Sequence, residues 1–152
     1  MTPVTLKELL TWTQKAHSHL AADLERARQG TGDEPVSYLL DYLAEHEEHL
    51  ALALERFVAD CHDDVLATRV QHYLETRLPG DGELRLGAVE SGNGDAFTAR
   101  ILDCHNRLIQ LYRFLGERVE PPHAAEILQE VLELEEKETQ LLSHQANRMH
   151  DL

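Results

Sequence analysis

Four long segments of this chain place apolar residues at alternating intervals of three and four, and each stripe is broken near its middle by side chains able to bind a metal ion. Residues three and four apart share one face of an α-helix, so each segment reads as a helix with one side to bury. The first stripe is Leu6, Leu10, Thr13, His17, Leu20, Leu24 and Ala27, and the second is Val36, Leu39, Leu43, His46, Leu50, Ala53 and Phe57. Phe97, Ile101, Cys104, Leu108, Leu111 and Leu115 form the third; Ala124, Leu128, Val131, Glu135, Glu138, Leu142, Gln145 and Met149 form the fourth. Four helices that must each cover one face predict an all-α fold around a shared core.

Turn chemistry sets the order in which those helices pack. Thr2-Pro3 reads as an N-cap followed by proline at the first helical position, which predicts a first helix over about residues 3–29. The short Gly30-Thr31-Gly32-Asp33 turn makes the second helix, about 35–60, return antiparallel beside the first. A third helix, about 95–116, ends at Gly116 and the Pro121-Pro122 pair, and a fourth follows over about 122–149. The link over about 61–94 is different. Val65, Leu66, Val70 and Leu74 predict a short helix over about 63–77, followed by turns at Pro79-Gly80-Asp81-Gly82 and Ser91-Gly92-Asn93-Gly94. A connection of that length can carry the chain from one end of a bundle to the other. The expected architecture is one domain, residues 1–152: two antiparallel helical hairpins joined by a long crossover that contains a short helix.

Charge and motif content narrow the function classes. Fourteen basic residues against 28 acidic ones give a formal charge of −14, which repels nucleic acid and anionic membrane, so neither is expected as a partner. No stretch approaches the roughly 18 apolar residues of a membrane span, and Met1 to Leu10 lack the apolar core and cleavage pattern of a secretory leader. The expected location is the cytoplasm. Cys61 and Cys104 are isolated and lack a CxxC partner, so they read as reduced packing residues. Gly80-Asp81-Gly82 and Gly92-Asn93-Gly94 lack the lysine and following Ser or Thr of a phosphate-binding loop.

The polar interruptions carry the chemistry. All sit near the middle of their helices, and antiparallel neighbours meet at their middles. On the second helix His46 falls at the centre of the apolar face and His49 about 60° away, while Glu45 and Glu47 lie about 100° to either side and Glu48 points away. The expected cluster is therefore His17, His46, His49, His105 or Cys104, Glu135 and Glu138, with Tyr42 hydrogen-bonding to it. Burying such groups costs free energy unless they are paired, hydrogen-bonded or metal-bound. Imidazole and carboxylate together favour a transition metal, iron, zinc or manganese, over calcium or magnesium. The alternative is a metal-free network of Glu–His pairs that fixes helix register. In that case the chain is an interaction or self-association module, with Leu40, Leu52, Leu54 and Leu134 as an additional apolar stripe. A hemerythrin-type site is unsupported, because the chain contains no His-x-x-x-Glu or His-x-x-x-His.

Two hairpins, a long crossover and inward metal-capable residues at mid-height resemble the ferritin-like superfamily. The stretch Tyr38-Leu-Leu-Asp-Tyr-Leu-Ala-Glu-His-Glu-Glu-His49 is similar to the second helix of rubrerythrin-type members, and Leu132-Glu-Leu-Glu-Glu-Lys-Glu138 to their fourth. The resemblance implies a four-helix bundle that binds two metal ions through glutamates on the first and third helices and Glu-x-x-His on the second and fourth, and that supports oxygen or peroxide chemistry. This chain instead offers His17, His46-x-x-His49, Cys104 or His105, and Glu135-x-x-Glu138. Bridging carboxylates would then come from the fourth helix alone, so the resemblance implies a mononuclear or altered dinuclear centre.

Overall fold

The computed structural model describes residues 2–89 and 93–150, with side chains up to residue 148. The Met149 side chain of the fourth stripe and the Ser91-Gly92 half of the second turn therefore lie outside what is described. Four long helices account for most of the chain: α1 (Leu6–Gly30), α2 (Glu34–Asp60), α5 (Gly94–Arg118) and α6 (Pro122–His150). Between α2 and α5 lie two single-turn helices, α3 (Asp63–Leu66) and α4 (Gln71–Leu74), and a 3-10 turn at Asp81–Leu84. Among the described residues the one β-type pairing is an isolated bridge between Thr5 and Arg69. No helix there is long and apolar enough to cross a membrane.

The beginning of α1 differs from the Thr2-Pro3 expectation. The N-cap is Thr5: its hydroxyl accepts from the Glu8 backbone N–H at 3.2 Å, and the Glu8 carboxylate accepts from the N–H groups of Thr5 at 3.4 Å and Val4 at 2.6 Å. A Thr-x-x-Glu box satisfies donors at both ends of the turn, which a threonine before proline cannot match. The segment around it is held by the crossover. Val70 N–H donates to the Val4 carbonyl at 2.9 Å, and Leu6 N–H donates to the Thr68 carbonyl at 2.8 Å. The same pairing breaks the helix expected over 63–77 into α3 and α4, because Thr68 and Val70 spend their backbone groups on the N-terminal segment. α2 and α5 are capped by turn residues, Asp33 accepting from Val36 N–H at 3.2 Å and Asn93 accepting from Ala96 N–H at 3.1 Å.

Two apolar clusters give the helix directions. One joins Leu6, Leu9 and Leu10 near the start of α1 to Leu54 near the end of α2, Tyr112 and Leu115 near the end of α5, and Ala124 and Leu128 near the start of α6. The other joins Leu20 and Leu24, Val36, Leu40 and Leu43, Phe97 and Ile101, and Leu142, the opposite ends of the same four helices. α2 and α5 therefore run in the same direction, and the link between them travels the length of the bundle. Leu84 and Leu86 of the link are buried in the second cluster.

Asp23 of α1 fastens that link. It accepts from Arg85 Nε at 2.9 Å, from the second Arg85 nitrogen at 2.7 Å and from Leu86 N–H at 3.1 Å. Arg100 of α5 adds bonds to the carbonyls of Arg85 at 3.0 Å and Gly82 at 3.0 Å. Replacing Asp23 by Ala is expected to cost about 1–3 kcal/mol, as the loss of bonds made by a charged group does. Thermal unfolding, together with faster proteolysis between residues 75 and 90, checks it; unchanged cleavage would mean that Asp23 does not hold the link.

On α2 the buried residues are Val36, Leu40, Leu43, Ala44, Glu47, Leu50, Ala51 and Leu54. Leu40 and Leu54, expected as part of a self-association stripe, are core residues instead, whereas Leu52 is exposed and Leu134 half-buried.

Candidate metal centre

Between the two apolar clusters lies a layer of polar side chains, one or more from each long helix. His17 of α1, Glu47 of α2, His105 of α5 and Glu135 of α6 are all completely shielded from solvent. Glu47 enters through the register of α2. Its buried residues follow 36, 40, 43, 47, 50 and 54, again intervals of four and three. Around that axis Glu47 lies about 20° from the centre, His46 about 80° and His49 about 140°. The expectation that His46 and His49 form the inward pair is thus corrected: Glu47 is inward, His46 flanks the layer, and the His49 side chain is 61 % exposed.

Glu47 and His17 are the hubs of this layer. Oε1 of Glu47 accepts from His17 Nδ1 at 3.2 Å, and both of its oxygens accept from His105 Nε2 at 2.8 Å. His17 Nε2 reaches Glu135 Oε1 at 2.7 Å. An imidazole that donates from both nitrogens to two carboxylates is an imidazolium. Burial by itself lowers the His17 pKa, but the charges of Glu135 and Glu47 and the bonds to both push it up to about 10. For Glu47, burial works against the charged form, yet His105 and His17 hold its carboxyl well below the usual range. His105 Nδ1 pairs with Thr139 Oγ1 at 3.1 Å, which fixes the ring. The rings of His17 and His105 meet edge to face with centroids 5.4 Å apart.

One nitrogen from His17, one from His105 and one oxygen from Glu47 lie within 4.8 Å of one another. Glu135 adds a fourth donor: its Oε2 is buried and has no hydrogen-bond partner among the described residues. Two imidazoles and one carboxylate converge, with a second buried carboxylate on the far side of His17, and donors of these kinds suit zinc, iron and manganese. The buried carboxylates of the layer are not confined to the last helix, since Glu47 on α2 and Glu135 on α6 face each other across His17.

The remaining expected residues stand at the rim. Glu138 is almost buried, with its two oxygens 3.8 Å from His46 Nε2 and 3.9 Å from His49 Nε2. The His46 ring stacks against His105 with centroids 6.2 Å apart and lies tilted to Tyr42 at 6.2 Å, and burial lowers its pKa. Tyr42 has no hydrogen bond to the layer among those resolved; burial, then the Glu138 charge, raises its pKa. Cys104 is buried with the second cluster, and its thiol faces the Glu83 carbonyl at 3.6 Å while burial pushes it up to about 11. It is a packing residue, and His105 is the inward member of the pair. Cys61 and Cys104 are both free thiols.

Below the layer, Thr13 and Tyr112 share a 2.6 Å hydrogen bond that joins α1 to α5 without solvent contact. Compared with known proteins, the chain matches no family model, no curated protein and no solved structure.

Proposed function

We propose that this chain is a ferritin-like metal-binding protein whose buried layer takes up a transition metal through His17, Glu47, His105 and Glu135. The observation that carries the reading is the convergence of three donors within 4.8 Å in a fully buried layer, with an unpartnered Glu135 oxygen on the other side of His17. The bundle topology supports it, since the long link between parallel α2 and α5 is the plan that the sequence resemblance implies. A bound ion would act as the central positive charge of the layer, replacing one of the two ring protons that His17 now shares with its carboxylates.

That replacement gives the test. A histidine ligand must be neutral, and His17 holds its proton up to about pH 10. Loading zinc at pH 7 is therefore expected to release about one proton per ion, read with an indicator dye in weak buffer, and the affinity is expected to rise with pH. Zinc uptake without proton release would place the ion elsewhere.

A second reading rests on the hydrogen bonds themselves. His17, Glu47 and His105 already satisfy one another, so the layer can set helix register without an ion. The chain would then be a metal-free interaction module. That reading expects iron, zinc and manganese all to bind below one equivalent per chain, with no dependence on Glu47.

A further inference from the structure

The six residues expected to form one cluster fall into two groups in space, and the outer group has a chemistry of its own. Glu138 sits between His46 and His49, presenting Oε2 to one imidazole and Oε1 to the other. Neither separation is a hydrogen bond, at 3.8 Å and 3.9 Å. Two imidazole nitrogens thus each face one oxygen of the same carboxylate without satisfying it. A second observation points the same way: His46 Nε2 is buried and has no hydrogen-bond partner among the described residues, on a side chain that is 9 % exposed. Leaving an imidazole nitrogen dry and unpaired costs free energy that a neutral packing residue would not.

We propose that His46, His49 and Glu138 form a second, solvent-reachable site for a borderline divalent transition cation, at the rim of the buried layer and distinct from it. His46 and His49 lie three residues apart on α2, so both reach across to α6, where Glu138 supplies the charge. Bonds of about 2.0–2.2 Å at tetrahedral angles set donor atoms roughly 3.4 Å apart, so each imidazole has to approach Glu138 by about half an ångström, and the two histidines, which with Glu138 do not yet bring one donor each within 4.8 Å of one another, have to close further. His49, with its exposed side chain, has the freedom to supply that movement. Two neutral imidazoles and one carboxylate leave the solvent side open for water, the composition of an exchangeable site rather than a closed structural one. The His46 ring also stacks on His105 of the buried layer, so an ion held here waits one side chain away from the inner donors. The acidic surface of a chain with net charge −14 favours its arrival.

The test uses cobalt(II) as the probe on the full, untagged chain. A thiolate bound to cobalt gives a near-ultraviolet charge-transfer band, so His49→Cys reports directly whether residue 49 ligates. The expected result is a band absent from the unsubstituted protein, saturating at one equivalent and lost when Glu138→Gln is added. His49→Ala is expected to weaken the same equivalent at least about tenfold. Both changes are made at an exposed position and leave the core intact. Folded His49→Cys protein that shows no band, or His49→Ala protein with unchanged cobalt affinities, overturns the outer site. The buried centre is read separately through Glu47→Gln, which should leave the outer band in place. If the unsubstituted protein lacks an equivalent that depends on Glu47 while the band persists, the buried centre falls and the outer site stands.

Discussion

Glu47→Ala is expected to unfold this protein more readily than any other single change in the polar layer, by about 3–5 kcal/mol, the usual cost of stripping one partner from a buried charge network. For a chain of this length that corresponds to a loss of roughly 10 °C in Tm. The reason lies in the number of groups it serves. Its two oxygens take the His17 Nδ1 proton and the His105 Nε2 proton, and removing them leaves both imidazoles buried without a partner on that side. His49→Ala, two residues away along α2, is expected to change stability by no more than about 0.5 kcal/mol, because its side chain is mostly in solvent. Thermal unfolding followed by circular dichroism compares the two. Equal effects would mean that the register of α2 is the other one, with His46 and His49 inside.

The second large effect is a fall in stability of the metal-free protein on the alkaline side. His17 is held at about 10 in the folded chain against an ordinary value of 6.5. A raised pKa contributes stability that is complete below 6.5 and is lost as the pH climbs through about 10. At pH 9 the loss is on the order of 3 kcal/mol relative to pH 6, or about 5–10 °C in Tm. Glu47 works on the other side. Its carboxyl is held below the ordinary 4.5, so its contribution is present above that pH and disappears as the solution becomes more acidic. The metal-free protein should be most stable between these limits, at about pH 5–6. With zinc bound at His17 the proton is already gone, and the alkaline decline is expected to vanish. Melting curves at pH 6 and pH 9, with zinc and with chelator, read both statements. A metal-free Tm that is flat over this range would show that His17 is not charged in the folded state.

Much of this arrangement was legible in the sequence because three of the four stripes are unambiguous. On α1, α5 and α6 the residues expected inward are the buried ones, from Leu6 to Leu24, Phe97 to Leu115 and Ala124 to Leu142. The layer at mid-height follows from them, with His17 and Glu135 inside it; the α5 stripe itself names Cys104 and leaves His105 as the alternative, and Glu138 is buried at the rim. The fold class and the crossover were legible for the same reason: the stripes fix helix lengths, and the long link fixes where α5 can begin.

α2 was less legible, and physics explains why. Leucines occupy positions 39, 40, 43, 50, 52 and 54, so two axes a few tens of degrees apart both look apolar. The choice depends on whether a histidine or a glutamate breaks the stripe, and hydrophobicity favours the histidine. The packing favours Glu47, because two imidazoles on α1 and α5 are there to receive it. One signal for the correct axis was present: Val36, Leu40, Leu43, Leu50 and Leu54 are strictly spaced, with Glu47 filling the one gap. The extended Thr5 and the break at Thr68 were not legible locally, since they depend on backbone bonds between segments more than 60 residues apart.

The most direct measurement is crystallographic: zinc-loaded crystals, with anomalous differences collected on both sides of the zinc absorption edge. The expected result is a zinc peak inside the layer, at bonding distance from His17, Glu47 and His105, with Glu135 turned toward it. A layer that keeps its His17–Glu47 and His17–Glu135 hydrogen bonds at saturating zinc, with no peak among them, would contradict the buried metal centre.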